Sequence, residues 1–150
     1  MASFLPYLLV GDACLKTETD FLDAVTHPSI PKKKVVVSRL GFVMTPKLMC
    51  LETPTLDHVG QLIAVIHHIH SVGFVTRDIR PANVMVSLDG TRVFLTDFGY
   101  ATKVGEMKKY EGALSTASNR ILVLKRDHPD DSIGVTIADE LESVVKVPFI

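Results

Sequence analysis

Apolar and polar positions follow two different rhythms along this chain. Between Asp57 and Val72, the residues Val59, Leu62, Ile63, Ile66 and Ile69 recur every three or four positions, which predicts a helix with one apolar face. Asp57 is placed to cap its start and Gly73 to stop it. Thr136 to Val147 predicts a second helix: Thr136 and Asp139 form a capping-box pattern, and Pro148 lies just beyond the end. Thr17 to Val25 predicts a third, with Phe21, Leu22 and Val25 on one face and Thr17 or Thr19 as cap. It stops before His27-Pro28, because the residue preceding a proline avoids helical backbone. Shorter apolar runs predict strands at Val35 to Val37, Gly41 to Met44, Val84 to Val86 and Val93 to Leu95. The last two flank Asp89-Gly90, a dipeptide that favours a tight hairpin turn. Phe4 to Val10 is apolar but short and interrupted by Pro6, and reads as a buried strand or a cut end. Thr102 to Leu114 has no clear rhythm.

Composition narrows the picture. The chain has 150 residues, 47% of them hydrophobic, which suits one domain of ordinary size with a sizeable core. A net charge of −1 makes no electrostatic case for nucleic acid or an acidic membrane surface as partner. Lys32-Lys33-Lys34 is the one basic run and is expected in a solvated loop. Cys14 and Cys50 have no paired spacing, so they exclude a disulfide framework and fit a reducing compartment. No apolar run reaches membrane-spanning length and no basic segment precedes Phe4 to Val10, so the expected location is cytoplasmic or nuclear, with no membrane partner.

The candidate chemistry lies between Val75 and Ala101. Asp78 and Asp97 stand near the ends of that stretch, with Asn83 between them. A hairpin built from the two flanking strands brings all three to one end. Two carboxylates and an amide oxygen make a hard, all-oxygen site of the kind magnesium favours. His67 and His70 share a helical face, but no third ligand at metal-binding spacing accompanies them, so they read as packing or surface residues.

These residues carry a resemblance. Thr76-Arg77-Asp78-Ile79-Arg80-Pro81-Ala82-Asn83 resembles the protein-kinase catalytic loop H-R-D-x-x-x-x-N, and Asp97-Phe98-Gly99 matches the D-F-G motif. Order and spacing agree, with room for two strands between the loops. The resemblance runs from about Thr17 to Val147. It implies an α+β, protein-kinase-like fold: a mostly helical C-lobe core with a truncated N-lobe, forming one partial domain in which residues 1–46 are an N-lobe remnant and hinge and 47–150 part of the C-lobe. Ala138 to Val145 is similar to the casein-kinase-like and crinkler-effector-like kinases, with Glu140 where an aspartate is usual.

The resemblance also implies roles. Asp78 is the catalytic base; Arg80 takes the place of the usual lysine that neutralises the γ-phosphate; Asn83 and Asp97 hold magnesium against ATP. Met44 lies in the hinge segment, where backbone groups contact the adenine. Arg77 ties the catalytic loop to the activation segment, which begins at Thr102 and in which Thr102, Tyr110, Ser115 and Thr116 are candidate phosphate acceptors. Glu18 is the helix glutamate that pairs with a strand lysine in the family. Thr76 stands where a histidine is usual, and Gly112 to Arg120 lacks the Pro and Glu of the family's A-P-E stretch. No glycine-rich loop and no fitting lysine precede Glu18, so Glu18 is expected to be solvated or paired with another base such as Lys103. Three readings stay open at this point: a protein kinase moving the ATP γ-phosphate to a protein hydroxyl, with Ser/Thr slightly favoured; a pseudokinase serving as a binding or regulatory module toward a protein partner; and a small-molecule kinase of the aminoglycoside or choline type, against which the intact D-F-G and the His27-Pro28-Ser29-Ile30 stretch argue.

Overall fold

The computed structural model describes residues 12–36 and 42–147, so the expectations at Phe4 to Val10, Val37, Gly41 and Pro148 lie outside the described residues. The first helix, α1, spans Asp12–Ala24 and starts five residues before the expected Thr17. The Thr17 hydroxyl donates to the Ala13 carbonyl inside the helix, so neither threonine caps it. The extension follows from packing: Cys14, Glu18, Phe21 and Val25 fall on one face, and Phe21 stacks on Phe98 with ring centroids 4.2 Å apart.

Strands β1 (Lys32–Val36) and β2 (Phe42–Thr45) pair antiparallel, with an irregularity between Lys33 and Val35. The lysine run therefore lies in a strand and not in a solvated loop. Lys33 is drawn in by Asp23, its Nζ 2.6 Å from the carboxylate. After the bend at Pro46, β3 (Leu48–Cys50) joins β5 (Val84–Ser87) and β6 (Val93–Leu95) in a sheet of order β3-β5-β6. The β5–β6 pair is the expected hairpin, with Val84 opposite Leu95 and a positive φ at Gly90 that glycine supplies without strain. Its connection is longer than a two-residue turn, because Ser87 N–H still bonds the Arg92 carbonyl.

Helix α2 spans Leu56–Ser71. Thr55 caps it, not Asp57; the Thr55 hydroxyl accepts from His58 N–H while His58 Nδ1 accepts from Thr55 N–H. That tautomer leaves His58 Nε2 to donate to the Gly90 carbonyl at 2.8 Å, and Gln61 accepts from Val93 N–H while donating to the Thr91 carbonyl. One end of α2 is thus bolted to the hairpin by polar bonds, while Leu62, Val65, Ile66 and Ile69 fill the core under it. Ile63, expected on that apolar face, is 52% exposed, because the face is rotated to bury Val65. Gly73, with φ 87, ends the helix and leads into β4 (Phe74–Val75).

The segment without rhythm holds two short strands. β7 (Thr102–Lys103) pairs with β4, and β8 (Met107–Lys109) pairs with β9 (Ser132–Gly134). Helix α3 (Asn119–Asp127), capped by Ser118, carries one buried apolar residue, Ile121, too weak a pattern to have been expected. Helix α4 (Ile137–Lys146) has the expected Thr136–Asp139 capping box. Its inward face is polar (Asp139, Glu140, Ser143), while Ile137, Leu141 and Val145 face outward. No helix among the described residues is long and apolar enough to cross a membrane.

Asp139 joins α3 to α4. Burial works against its charge, but the Arg120 guanidinium, the Ser118 hydroxyl and the N–H and O–H of Thr136 together hold its carboxyl far below the usual range. Removing a buried charged partner costs roughly 3–5 kcal/mol, and Arg120 is free to turn to water, so Asp139→Ala should cost about 3 kcal/mol at pH 7. A carboxylate whose folded value is depressed contributes above its unfolded value, and the contribution is lost as pH falls through the folded one. Urea titrations should therefore show the gap between wild type and Asp139→Ala shrinking as pH drops below the ordinary carboxylate value of 3.8.

Candidate active site

The β5–β6 register sets the site. Just past the paired Val84 and Leu95, Thr96 N–H and hydroxyl both donate to the Asn83 carbonyl, at 2.9 and 3.2 Å. Asn83 and Asp97 are thereby brought to the same end of the hairpin. Asn83 closes one turn of 3-10 helix, Pro81–Asn83, whose proline suits a helix start because its missing N–H leaves nothing unpaired there. The Asn83 amide nitrogen donates to Asp78 Oδ2 at 2.9 Å and to the Asp78 carbonyl at 3.0 Å. Its amide oxygen is left as an acceptor.

Asp78 is buried, 4% exposed, and each carboxylate oxygen is in use. Oδ2 takes Asn83 and lies 3.3 Å from Arg80 Nε; Oδ1 accepts from Ala113 N–H at 3.2 Å. Burial raises its pKa, opposed by Arg80, Asn83 and the Ala113 N–H and helped by Asp97. Arg80, expected to face a phosphate, is held instead beside Asp78 with its outer part exposed.

Asp97 sits in left-handed backbone, φ 64, as does Arg77, φ 67. Non-glycine residues rarely adopt this conformation, and each costs about 1–3 kcal/mol that the surroundings must hold in place. The Phe98 ring stacks on Phe21, and Phe98 N–H donates to Glu18 Oε1 at 3.2 Å. Glu18 is therefore neither solvated nor paired with Lys103, as expected from sequence; the Phe98 amide holds it. Burial lifts its pKa to about 7, against the Phe98 bond and with Asp97 adding to the rise. Among the described residues no lysine or arginine forms an ion pair with it. Cys14 and Tyr100 are pushed up by burial and by surrounding anions, including Asp97 and Glu111. Asp97, Glu111 and Glu18 thus make the surroundings of Cys14 negative.

The donor set fits magnesium in kind: a carboxylate and a neutral amide oxygen, the usual few protein oxygens of a metal that also takes phosphates and water. Among the described residues no group of three or more His, Cys, Asp or Glu is placed to bind a metal by itself. His70 lies inside, near Glu140, and His68 faces His27 at 5.1 Å. Met44 lies in β2 opposite Lys33 and packs on the main core.

The segment after Asp97 closes over the catalytic loop. Arg77 donates to the Lys109 carbonyl at 2.6 Å and lies over the Tyr110 ring, so it does reach the activation segment, through main-chain oxygens. Gly112 presses on the loop: a Cβ there would stand 1.9 Å from the Arg77 carbonyl. Thr116 donates to the Ile79 carbonyl at 2.6 Å. Of the four candidate phosphate acceptors, Thr102, Tyr110 and Thr116 are buried and Ser115 alone is exposed. Sequence reasoning missed Ala113 and Gly112 as neighbours of Asp78. A main-chain N–H leaves no mark in a sequence.

Comparison with known proteins agrees with this arrangement. The chain is 24% identical over 157 residues to the serine/threonine-protein kinase AtPK2/AtPK19 of Arabidopsis thaliana, covering 91% of this chain and 33% of the relative. It is 33% identical over 94 residues to a probable serine/threonine-protein kinase of Streptomyces coelicolor, covering 63% of this chain and 14% of the relative. Over 42 residues it is 52% identical to the negative regulator of sexual conjugation and meiosis of Schizosaccharomyces pombe, covering 28% of this chain and 9% of the relative. The chain thus spans a third or less of the length of these relatives. The protein kinase domain family matches residues 33–126, more than half of the chain and the whole of the Asp78–Asn83–Asp97 site, and the chain belongs to that family.

Proposed function

We propose that this site moves the γ-phosphoryl group of ATP to a protein hydroxyl, with serine or threonine favoured as acceptor. The observation that carries the reading is the buried Asp78 carboxylate, oriented by the Asn83 amide. A substrate hydroxyl would give its proton to Asp78 as its oxygen bonds to the γ-phosphorus, and the bond from that phosphorus to the β-phosphate oxygen would break. A raised pKa suits a base that works near neutral pH. Arg80 would neutralise charge on the transferring group once it turns from Asp78. Asn83 and Asp97 would hold magnesium, which supplies charge neutralisation at the phosphates. Met44 would line the adenine side, and Glu18 holds the Phe98 amide and so the Asp97 turn. The serine/threonine preference rests on the names of the relatives. An intracellular setting, with a protein substrate or regulatory partner, fits the same reading.

Asp97→Asn should abolish the rise in melting temperature that magnesium-ATP induces, since a ligand of the native state stabilises by mass action. Asp78→Asn should keep that rise and lower transfer by roughly 10²–10⁴-fold. An unchanged rise in Asp97→Asn would refute the metal assignment. Binding without transfer in the wild type would favour the regulatory-module alternative, which the lack of an ion pair to Glu18 among the described residues supports.

Glu18 yields a pH test. Its folded pKa, about 7, lies above the ordinary 4.5, so its contribution to stability is full below the ordinary value and is lost as pH rises through about 7. Melting curves from pH 5 to 8.5 should show Glu18→Gln gaining on wild type as pH rises through the neutral range. Parallel curves for the two proteins would refute a buried, uncompensated Glu18.

Gly112→Ala should destabilise the protein by about 1–3 kcal/mol, since the added methyl must force the activation segment off the Arg77 carbonyl. Chemical denaturation measures the loss. A neutral effect would mean the segment is not held against the catalytic loop.

A further inference from the structure

Arg77 carries a buried charge without an ionic partner. It is 6% exposed, and among the described residues no carboxylate forms an ion pair with it. Its Nη2 donates to the Lys109 carbonyl at 2.6 Å and to the Lys108 carbonyl at 3.4 Å, while Nε is buried with no hydrogen-bond partner among the described residues. A charge is costly to bury unless its surroundings answer it. The remaining answer is a ring face. The guanidinium carbon lies 5.7 Å from the centroid of the Tyr110 ring, within range of a cation–π contact, which is strongest where water is excluded.

Tyr110 is itself 7% exposed and belongs to the second core cluster, with Val75, Ala117, Ile121, Ile133 and Val135. Burial, and then Asp78, push its pKa up to about 12 against the pull of Arg77, so at pH 7 it meets Arg77 as a neutral ring. The far end of that ring turns the chain. The Tyr110 hydroxyl donates to the Ala113 carbonyl at 3.4 Å, long for such a bond. A Cβ on Gly112 would stand 2.8 Å from the Tyr110 Oη and 2.9 Å from its Cζ, so the chain crosses the end of the ring as closely as glycine allows. The next residue, Ala113, gives its N–H to Asp78 Oδ1 at 3.2 Å.

We propose that Tyr110 is a positioning residue for Asp78. The ring face holds the Arg77 side chain, the ring end holds the turn from Tyr110 to Ala113, and together they fix the Ala113 N–H on the Asp78 carboxylate. An uncharged tyrosine thus anchors the segment on the catalytic loop, and no added phosphate is needed at Arg77 to keep it there. Tyr110 touches no reacting atom. Only its bearing on catalysis rests on the reading of Asp78 as base.

The test uses NMR on the free chain, treated with phosphatase and shown by intact mass to carry no phosphate. The readouts are the Arg77 Nε–H resonance, which the ring current of Tyr110 shifts, and hydrogen exchange at the Ala113 amide. The amides of Ile121 and Ile133, in the same core cluster, serve as controls. Tyr110→Phe keeps the ring and loses only the long hydroxyl bond. Pentafluorophenylalanine at position 110 keeps a similar shape and reverses the charge distribution of the ring face. Wild type should protect Ala113 without phosphate, and Tyr110→Phe should stay within about twofold of it. The fluorinated ring should move the Arg77 Nε–H resonance and speed Ala113 exchange about tenfold, with Ile121 and Ile133 nearly unchanged. Equal Ala113 exchange in the two variants overturns the proposal. So does a rise shared evenly by Ala113, Ile121 and Ile133, which would mark Tyr110 as core filling alone, and so does an unprotected Ala113 in the phosphate-free wild type. No readout needs ATP or turnover, so failure here is distinct from failure of the transfer reading.

Discussion

The rest of the structure depends on the register of one antiparallel pair, Val84 opposite Leu95. Side chains alternate faces along a strand, so a slip of one residue would turn every side chain of β5 to the other side. Val84 and Val86 would leave the interior, and the Thr96 bonds to Asn83 would be lost. Apolar burial alone would allow some slack in so short a pair. The slack is removed from outside: His58 and Gln61 of α2 grip the turn and the start of β6 through Gly90, Thr91 and Val93. The apolar core thus decides which face points inward, and a few polar bonds decide the exact pairing.

The loops beyond the hairpin obey another rule. They carry two left-handed non-glycine residues, Arg77 and Asp97, and several buried polar groups. Apolar packing would not favour either. Their conformation is instead over-determined by directional bonds from distant elements: Glu140 of α4 to Thr76 and Arg77, Glu18 of α1 to Phe98, Thr116 to Ile79 and Ala113 to Asp78. The arrangement leaves some groups poorly served. Arg77 Nε and Thr102 Oγ1 are buried without a hydrogen-bond partner, each a cost of about 1–3 kcal/mol. A site that tolerates such costs is organised for chemistry before stability.

How much of this was legible in the sequence depended on the range of the forces involved. α2, α4 and the hairpin were read nearly to their ends because their apolar periodicity and capping residues are local. Asp78, Asn83 and Asp97 were placed together because a hairpin is the shortest long-range connection a chain can make. The early start of α1 was not legible, since its first turns are held by packing against Phe98 and Gly99, some eighty residues away. The fate of Glu18 was misread for the same reason: its partner is a main-chain amide of the D-F-G turn, and amides carry no residue signature. The lysines of β1 look like a loop in isolation; only the strand partner β2 places them in a strand, and only the carboxylate of Asp23 shows why Lys33 is drawn in while Lys32 and Lys34 stay exposed. β8 lies in a stretch whose apolar residues are too sparse to declare a period, and the apolar residues of α3 form an unbroken run, Ile121 to Leu124, with no helical spacing.

The burial of Thr102, Tyr110 and Thr116 gives the activation segment a kinetic character. An enzyme that modified any of these hydroxyls would have to wait for the segment to lift from the catalytic loop, so the rate of modification would scale with the population of that opened form. Once modified, a buried hydroxyl bearing a dianionic group could not return to its buried place. The segment would act as a latch read by its own spontaneous opening, and Ser115, already outside, would be the one hydroxyl of the four that a partner could reach with the latch shut.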